Sequence, residues 1–510
     1  MSSSPDEMST VEEKGAVMHT EMLSLPGLSR DDALFLASFP EDKKKKMLRK
    51  IDWRLLPVLL LLYLITYIDK ANIGNAKIEG LLKDLHMSGR EYNVALAIFF
   101  IPYVIFEVPS NIILKLFKRP SQYLALLVFL WGVIMTCSGL VKTYGGLVAM
   151  RFLLGLFEAG FFPGAILLIS EWYLPNEVQT RIAVLYSSAA TGGAFSGLLA
   201  FGISKMGGIA GFKPWRWIFI IEGCATLVAA AICFFCLIDS PALSSRWLDA
   251  DEIRYLQLRQ AARRITNSEE YRTKYFDWRI LWDVLTDWKI VLLFFANWSQ
   301  AVPNYALKFA MPSIMTGMGY KSANAQLMTI PPYACGAIMS YILARIADKK
   351  TWRMPFIVAP QLLLIVAYGI LSAKAGNIKH NVGLCYFAVC LACAGLYPIF
   401  PGVSAWNVAN LWGPTKRGMG IAYLIAVGNI GGLIGSFIYI DKEAPKYPTG
   451  YGTSLGFAAA GIAACFVLEY ALWTINKKNE KVSEDEIRAM YTDEKLERMG
   501  DKSPLYRYAL

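Results

Sequence analysis

The sequence predicts an all-α membrane protein with twelve transmembrane helices in two pseudo-symmetric six-helix bundles, and three observations lead there. The 510 residues are 55% hydrophobic and only 18% charged, with a mean hydropathy of +0.38, which excludes an ordinary soluble globular protein of this length. Apolar windows of about 20 residues, enough to cross the hydrocarbon core as a helix, recur along the chain. The second half of the chain also repeats features of the first.

Taken in order, residues 1–50 are polar, first acidic and then basic, with no apolar core of the signal-peptide type. They read as an N-terminal tail, and the first span is expected to act as its own insertion signal. Spans near 54–76, 92–114, 121–141, 144–170, 181–203 and 214–238 make an N-terminal bundle, 51–238. The hydrophilic stretch 239–287 reads as a linker with a surface helix at 248–264. Spans near 288–312, 325–347, 354–374, 382–408, 418–440 and 452–475 make a C-terminal bundle, 288–476, and 477–510 is a second tail.

A net charge of +11 raises the possibility of a nucleic-acid partner, but the basic residues are sorted by membrane side instead of gathered in one patch. Lys43 to Lys46, Arg49, Lys50 and Arg54 precede span one, and Lys115, Lys118 and Arg119 follow span two. Arg181 lies between spans four and five, Arg345, Lys349, Lys350 and Arg353 between eight and nine, and Lys416 and Arg417 between ten and eleven. All are on the side of the N-terminus, so the positive-inside rule puts both tails and the linker in the cytoplasm. The nine cysteines fall in apolar spans, where neither disulfides nor a metal site is expected. The Cys-x-x-Cys spacings at 233/236 and 390/393 read as small packing residues on one helix face.

The repeat is read residue by residue. Ala159-Gly160-Phe161-Phe162-Pro163 is matched by Ala394-Gly395-Leu396-Tyr397-Pro398, and the same offset pairs Thr180-Arg181 with Thr415-Lys416, Gly193 with Gly428, and Gly197 with Gly432. Pro102-Tyr103 meets Pro332-Tyr333, which aligns span two with span eight. Duplicated halves place a binding site at their interface near mid-membrane, exposed alternately to each side. The glycines of spans five and eleven fit either close approach of moving helices or ordinary tight packing.

Four ionisable residues, Asp69, Lys70, Arg151 and Glu158, lie inside apolar spans. A charge at mid-bilayer costs roughly 2.5–3.5 kcal/mol on insertion scales, so such residues are expected to face a polar cavity and handle charge. At 1.5 Å per residue, Asp69 and Lys70 stand about 22–24 Å from the cytoplasmic end of span one, and Arg151 and Glu158 roughly 28 and 18 Å from that of span four. The four share a layer. Arg151 and Glu158 are seven apart, on one face but two turns apart, which leaves room between them. In the second half Tyr386 and Cys393 stand at the equivalent positions, so the fold itself does not need these charges.

The histidines, His19, His86 and His380, fall in the tail or in predicted outer loops, which leaves Asp69 and Glu158 as proton-coupling carboxyls. Burial disfavours a charged carboxyl and a neighbouring cation opposes that, until substrate neutralises the cation. The plainer alternative is a structural Asp69–Arg151 ion pair. Lys70 and Arg151 are expected to hold an anion, Arg by its fork and Lys as a point charge. Lys308 is the candidate from the C-terminal half, with snorkelling to the outer surface as its alternative. Asn304, Tyr305, Trp406 and Asn407 are expected as pocket walls. Glu107, Glu222 and Glu469 are read as structural groups nearer span ends.

The runs DKANIGNAK (69–77), YNVALAIFFIPYVIFEVPSN (92–111), RFLLGLFEAGFFPG (151–164), WRWIFIIEG (215–223) and TKRGMGIA (415–422) together resemble the anion:cation symporter family of the major facilitator superfamily, closest to its fungal allantoate and nicotinate permease branch. The resemblance implies plasma-membrane import of a small organic anion with protons by alternating access: a monocarboxylate or vitamin-type acid such as nicotinate, or alternatively allantoate, another ureido acid or a dicarboxylate. The expected partners are that anion, protons and the lipid bilayer, with no nucleic acid and no cofactor, and the chain is expected to be a monomer. Lys70 stands where the family usually has Arg, which keeps the charge and loses the bidentate fork. Proton-driven exporters usually carry a Gly-Pro pair in span five, and Thr191 to Gly197 contains no proline. A non-transporting nutrient receptor is a third reading. An enzyme has the least support, because no nucleophile, metal cluster or phosphate loop is visible.

Overall fold

The computed structural model describes residues 30–266, 278–347, 352–412, 414–492, 495–496 and 499–510. Much of the N-terminal tail with His19, part of the linker, and Lys349 and Lys350 lie outside the described residues. The long helices are α1 (Glu41–Ile78), α2 (Gly89–Leu116), α3 (Pro120–Ser138), α4 (Tyr144–Trp172), α5 (Pro175–Ser204) and α6 (Pro214–Cys236) in the first half. In the second half they are α7 (Trp288–Gly317), α8 (Ile330–Ala347), α9 (Pro355–Lys374), α10 (Val382–Ala409), α11 (Pro414–Ile438) and α12 (Pro448–Asn479). A helix at Ala250–Thr266 occupies the linker.

Several helix starts are written locally. Ser88 and Glu91 form a reciprocal capping box at α2, Thr143 caps α4 and Asp287 caps α7. Proline opens α3, α5, α6, α9 and α12, where its missing N–H is no loss.

Ten of the described helices are long and apolar enough to cross a membrane. Of the other two predicted spans, α5 is one helix from Pro175 to Ser204 that includes the apolar stretch Thr191–Ser204, and α7 is helical but more polar, carrying Lys289, Asn297, Gln300, Asn304 and Lys308. The polarity of α7 follows from its place against the central cavity.

Buried apolar side chains gather mainly into two cores, one drawn mostly from residues 36–256 and one from 293–472. Within each half an equivalent pair packs face to face, α3 with α6 and α9 with α12. Between the halves, α1 packs on α7, α2 on α11, and α5 on α8. The last two contacts exchange under the repeat, which maps two onto eight and five onto eleven.

The contacts that join the halves lie toward the end away from the termini. There Lys77 of α1 pairs with Asp441 between α11 and α12, and Gln326 donates to Glu79 at 3.0 Å. On the same side Asp84 accepts from Lys213, Trp215 and Arg216, which pins the α1–α2 turn to the start of α6. Burial alone would raise the Asp84 carboxyl, but these donors outweigh it and hold it below the usual carboxylate range.

At the terminus side the C-terminal segment is strapped to its own bundle. Asp501 is buried and forms ion pairs with Lys289 and Lys416, the Ala509 carbonyl accepts from Trp406 and Asn410, and the Tyr508 N–H donates to Asn476.

Candidate functional site

On α1, Tyr63, Tyr67 and Lys70 follow a 4 + 3 spacing, and on α7, Asn297, Gln300 and Asn304 follow a 3 + 4 spacing, so each set forms one stripe along its helix. The two stripes face each other across a cavity with about 560 Å³ of empty space, part of it open to solvent. Tyr103, Phe162, Tyr305, Phe400 and Asn429 complete much of its wall. It lies between the halves, on the terminus side of the contacts that join them.

Of the predicted site residues, Lys70, Asn304 and Tyr305 line this cavity. The Lys70 Nζ is 3.0 Å from Glu158 Oε1, with side chains 8% and 0% exposed, at angles outside hydrogen-bond geometry. It also stands 4.5 Å from the ring centroid of Tyr103. This interhelical pair brings Glu158 to the cavity edge. Arg151 is fully buried, its Nε donates to the Ala95 carbonyl at 3.4 Å and its guanidinium lies 4.9 Å from the Phe99 ring centroid, while both terminal nitrogens lack a hydrogen-bond partner.

Asp69 turns the other way. Its Oδ2 accepts from Trp131 Nε1 at 2.7 Å and Thr226 Oγ1 at 3.1 Å, and its Oδ1 is unpartnered. It makes no ion pair with Arg151, so the structural pair weighed from sequence is absent; adjacent residues on a helix point about 100° apart, and Asp69 faces α3 and α6 while Lys70 faces the cavity. Lys308 does not snorkel. It is 4% exposed, its Nζ has no hydrogen-bond partner and lies 4.1 Å from the Tyr67 ring centroid, and it lines a smaller cavity with Asn75, Ser196, Thr329 and Tyr333.

Trp406 and Asn407 do not line the central cavity. Trp406 donates to the Ala509 carbonyl at 2.9 Å, and Asn407 is buried one residue further along α10. At the repeat-equivalents of Arg151 and Glu158, Tyr386 donates to the Met328 carbonyl at 3.0 Å and Cys393 packs in the second core.

Asn297, Gln300 and Asn429 were not singled out from the sequence. For the first two the α7 stripe was the available signal; Asn429 shows its role only through contact, accepting from Tyr305 Oη at 3.1 Å and approaching Glu107 Oε2 at 3.5 Å. Trp131 and Thr226, which hold Asp69, sit in ordinary apolar runs that give no sequence signal.

Lys70 is the cation that lines this polar cavity, and Arg151 and Lys308 are buried outside its lining. The description "Major Facilitator Superfamily" matches residues 59–436. The chain is 37% identical to the MFS-type transporter cnsO of Penicillium expansum, covering 100% of this chain and 99% of that one. It is 30% identical to the high-affinity nicotinic acid transporter of Saccharomyces cerevisiae, covering 97% and 90%. Among solved structures, the proton:xylose symporter XylE bound to 6-bromo-6-deoxy-D-glucose superposes with a TM-score of 0.64 at 16% identity over 82% of this chain and 95% of that one. The partially occluded inward-open XylE from E. coli gives 0.62 at 14% over 82% and 97%. The chain belongs to the major facilitator superfamily and is a multi-pass membrane transporter of a small molecule, not an enzyme.

Proposed function

We propose that the protein imports a small organic monocarboxylate, of the vitamin-acid class that includes nicotinate, together with protons across the plasma membrane. The observation that carries this reading is the buried Lys70–Glu158 pair at the cavity edge. An incoming carboxylate competes with Glu158 for Lys70. A proton on Glu158 frees the lysine, so anion and proton enter together. Arg151 and Lys308 add positive potential to the same layer, and Asn304, Tyr305, Asn297 and Gln300 offer hydrogen bonds to the rest of the substrate. The similarity to a nicotinic acid transporter supports the substrate class.

With both termini cytoplasmic, the cavity lies on the cytoplasmic side of the closed contacts and the arrangement faces inward. A monoanion with one proton moves no net charge; with two protons the membrane potential assists by about 2.3 kcal/mol per 100 mV. Lys308, a further buried cation whose Nζ has no hydrogen-bond partner, favours a dicarboxylate as the alternative substrate, with a ureido acid such as allantoate as the other carboxylate to compare.

The test is uptake of a panel of radiolabelled mono-, di- and ureido acids into proteoliposomes, with and without an inward proton gradient, for the native chain and Glu158→Gln. Gradient-driven accumulation of one acid, lost in the variant, is the expected result. Uptake of that acid at the same rate without a gradient argues against coupling, and specific binding without flux supports a receptor.

A further inference from the structure

Glu222 of α6 lies in the interior of the N-terminal bundle, away from the helix ends, and is 3% exposed. Neither of its carboxylate oxygens has a hydrogen-bond partner. Asn72 approaches it without meeting hydrogen-bond geometry, its Nδ2 being engaged with Met135 Sδ at 3.2 Å, and Asp69 is within electrostatic reach. Asn72 Oδ1 and Asp69 Oδ1 are buried acceptors without donors as well. Glu222 and Asp69 are further linked through Thr226, whose hydroxyl approaches both Asp69 Oδ2, at 3.1 Å, and the Glu222 backbone carbonyl, at 2.9 Å.

This part of the bundle therefore holds more buried acceptors than donors. Two ionised carboxyls within electrostatic reach of each other in a low-dielectric interior repel, and burying a charged carboxylate without a partner costs more than burying the neutral acid. The charged groups around the pair are few. Arg151 and Glu158 on α4 are within electrostatic reach of Asp69; the contacts that α3 supplies come from Trp131 and Met135, which carry no charge. A proton supplies the missing donor: as an acid, Glu222 gives its O–H to a neighbouring acceptor such as Asn72 Oδ1.

We propose that Glu222 and Asp69 form a proton-binding pair behind the substrate cavity, with Glu222 its resident acid. Loading forms one O–H bond on a carboxyl and release restores the carboxylate; no other bond changes. Asp69 connects the pair to the site, since Lys70 follows it on α1 and Arg151 and Glu158 both reach it electrostatically. A change of charge at Lys70–Glu158 thus alters the tendency of the pair to keep its proton. This role in coupling deepens the symport reading and rests on it; occupancy by a proton does not.

Infrared spectroscopy of the full chain in lipid membranes tests the occupancy, with glutamate labelled by carbon-13 so that its carbonyl band separates from that of aspartate. At neutral pH the native protein is expected to show a protonated-glutamate band that loses intensity in Glu222→Gln and keeps it in Glu158→Gln. Glu222→Asp is expected to move that intensity to the unlabelled aspartate position, which serves where the glutamine variant does not fold. A band unchanged in both Glu222 variants overturns the proposal. In proteoliposomes, Glu222→Gln is expected to flatten the pH dependence of uptake while leaving anion exchange at equal pH intact. If the native protein shows no proton-coupled flux, the symport reading fails and the infrared result still decides the proton site.

Discussion

Lys70 and Glu158 face each other at 3.0 Å in a bundle interior, where removing one partner of a buried pair leaves an uncompensated charge at a cost of about 3–5 kcal/mol, while replacing both with apolar groups is often neutral. Lys70→Met and Glu158→Leu are therefore each expected to lower the unfolding temperature clearly, and the double variant to recover most of that loss, all three without coupled uptake. Thermal unfolding of purified variants checks this, and equal, additive losses would count against the pair. The four membrane charges were legible in the sequence because ionisable residues stand out against apolar runs, and all four are buried. Which charge meets which was not legible. Asp69 and Lys70 are neighbours in the chain, yet one faces Trp131 and Thr226 and the other the cavity, a division set by helix rotation against three neighbouring helices. Trp406 and Asn407 fit a pocket wall by residue type, but the terminal segment claims Trp406 through Ala509, a contact across 103 positions that no local pattern announces.

At the scale of elements, the spacing of apolar windows gave the helices well, while the glycines of span five, read only as allowing close approach or tight packing, turn out to meet α8. A Cβ on Gly197 would stand 2.4 Å from Thr329 Oγ1 and 2.6 Å from the Gln326 carbonyl oxygen, and one on Gly193 2.7 Å from the Tyr333 ring. Gly197→Leu is expected to prevent this closure, so that the variant inserts and binds but no longer transports; full uptake would show that the halves need not meet here. The strap formed by residues 499–510 was not legible, since its charge looks like that of any polar tail. Burial opposes the Asp501 carboxylate, but Lys289 and Lys416 outweigh burial and hold the carboxyl below the usual range. A carboxyl depressed in the folded state stabilises docking above its unfolded value of about 4 and loses that contribution as pH falls through the lower folded value. Asp501→Asn should therefore raise hydrogen exchange across 499–510 at neutral pH, with the difference from the native chain vanishing in strong acid.

At the scale of the whole molecule, the repeat predicts two bodies that move against each other, and the cores and interhelical contacts are distributed accordingly. The charges are not: Arg151 and Glu158 lie in the first half, while their equivalents Tyr386 and Cys393 pack or bond locally. The first half thus holds these buried charges, and the second contributes the amide stripe of α7 and Asn429 as the opposite wall of the cavity. Alternation requires the far-side contacts to open, and the place to hold them shut is the start of α2. A Cβ built on Gly89 lies 2.8 Å from the Asp441 Cβ, so a small relaxation reaches the 3.5–4.5 Å Cβ separation of a disulfide, roughly. Gly89→Cys combined with Asp441→Cys is expected to crosslink under oxidant, leave the cavity accessible from the terminus side, and stop transport until a reductant is added. The native chain, whose cysteines are free, serves as the background control. Uptake that continues at the native rate with the crosslink complete would mean that substrate crosses without this end opening, and the two halves would then have to be read as a fixed frame around some other path.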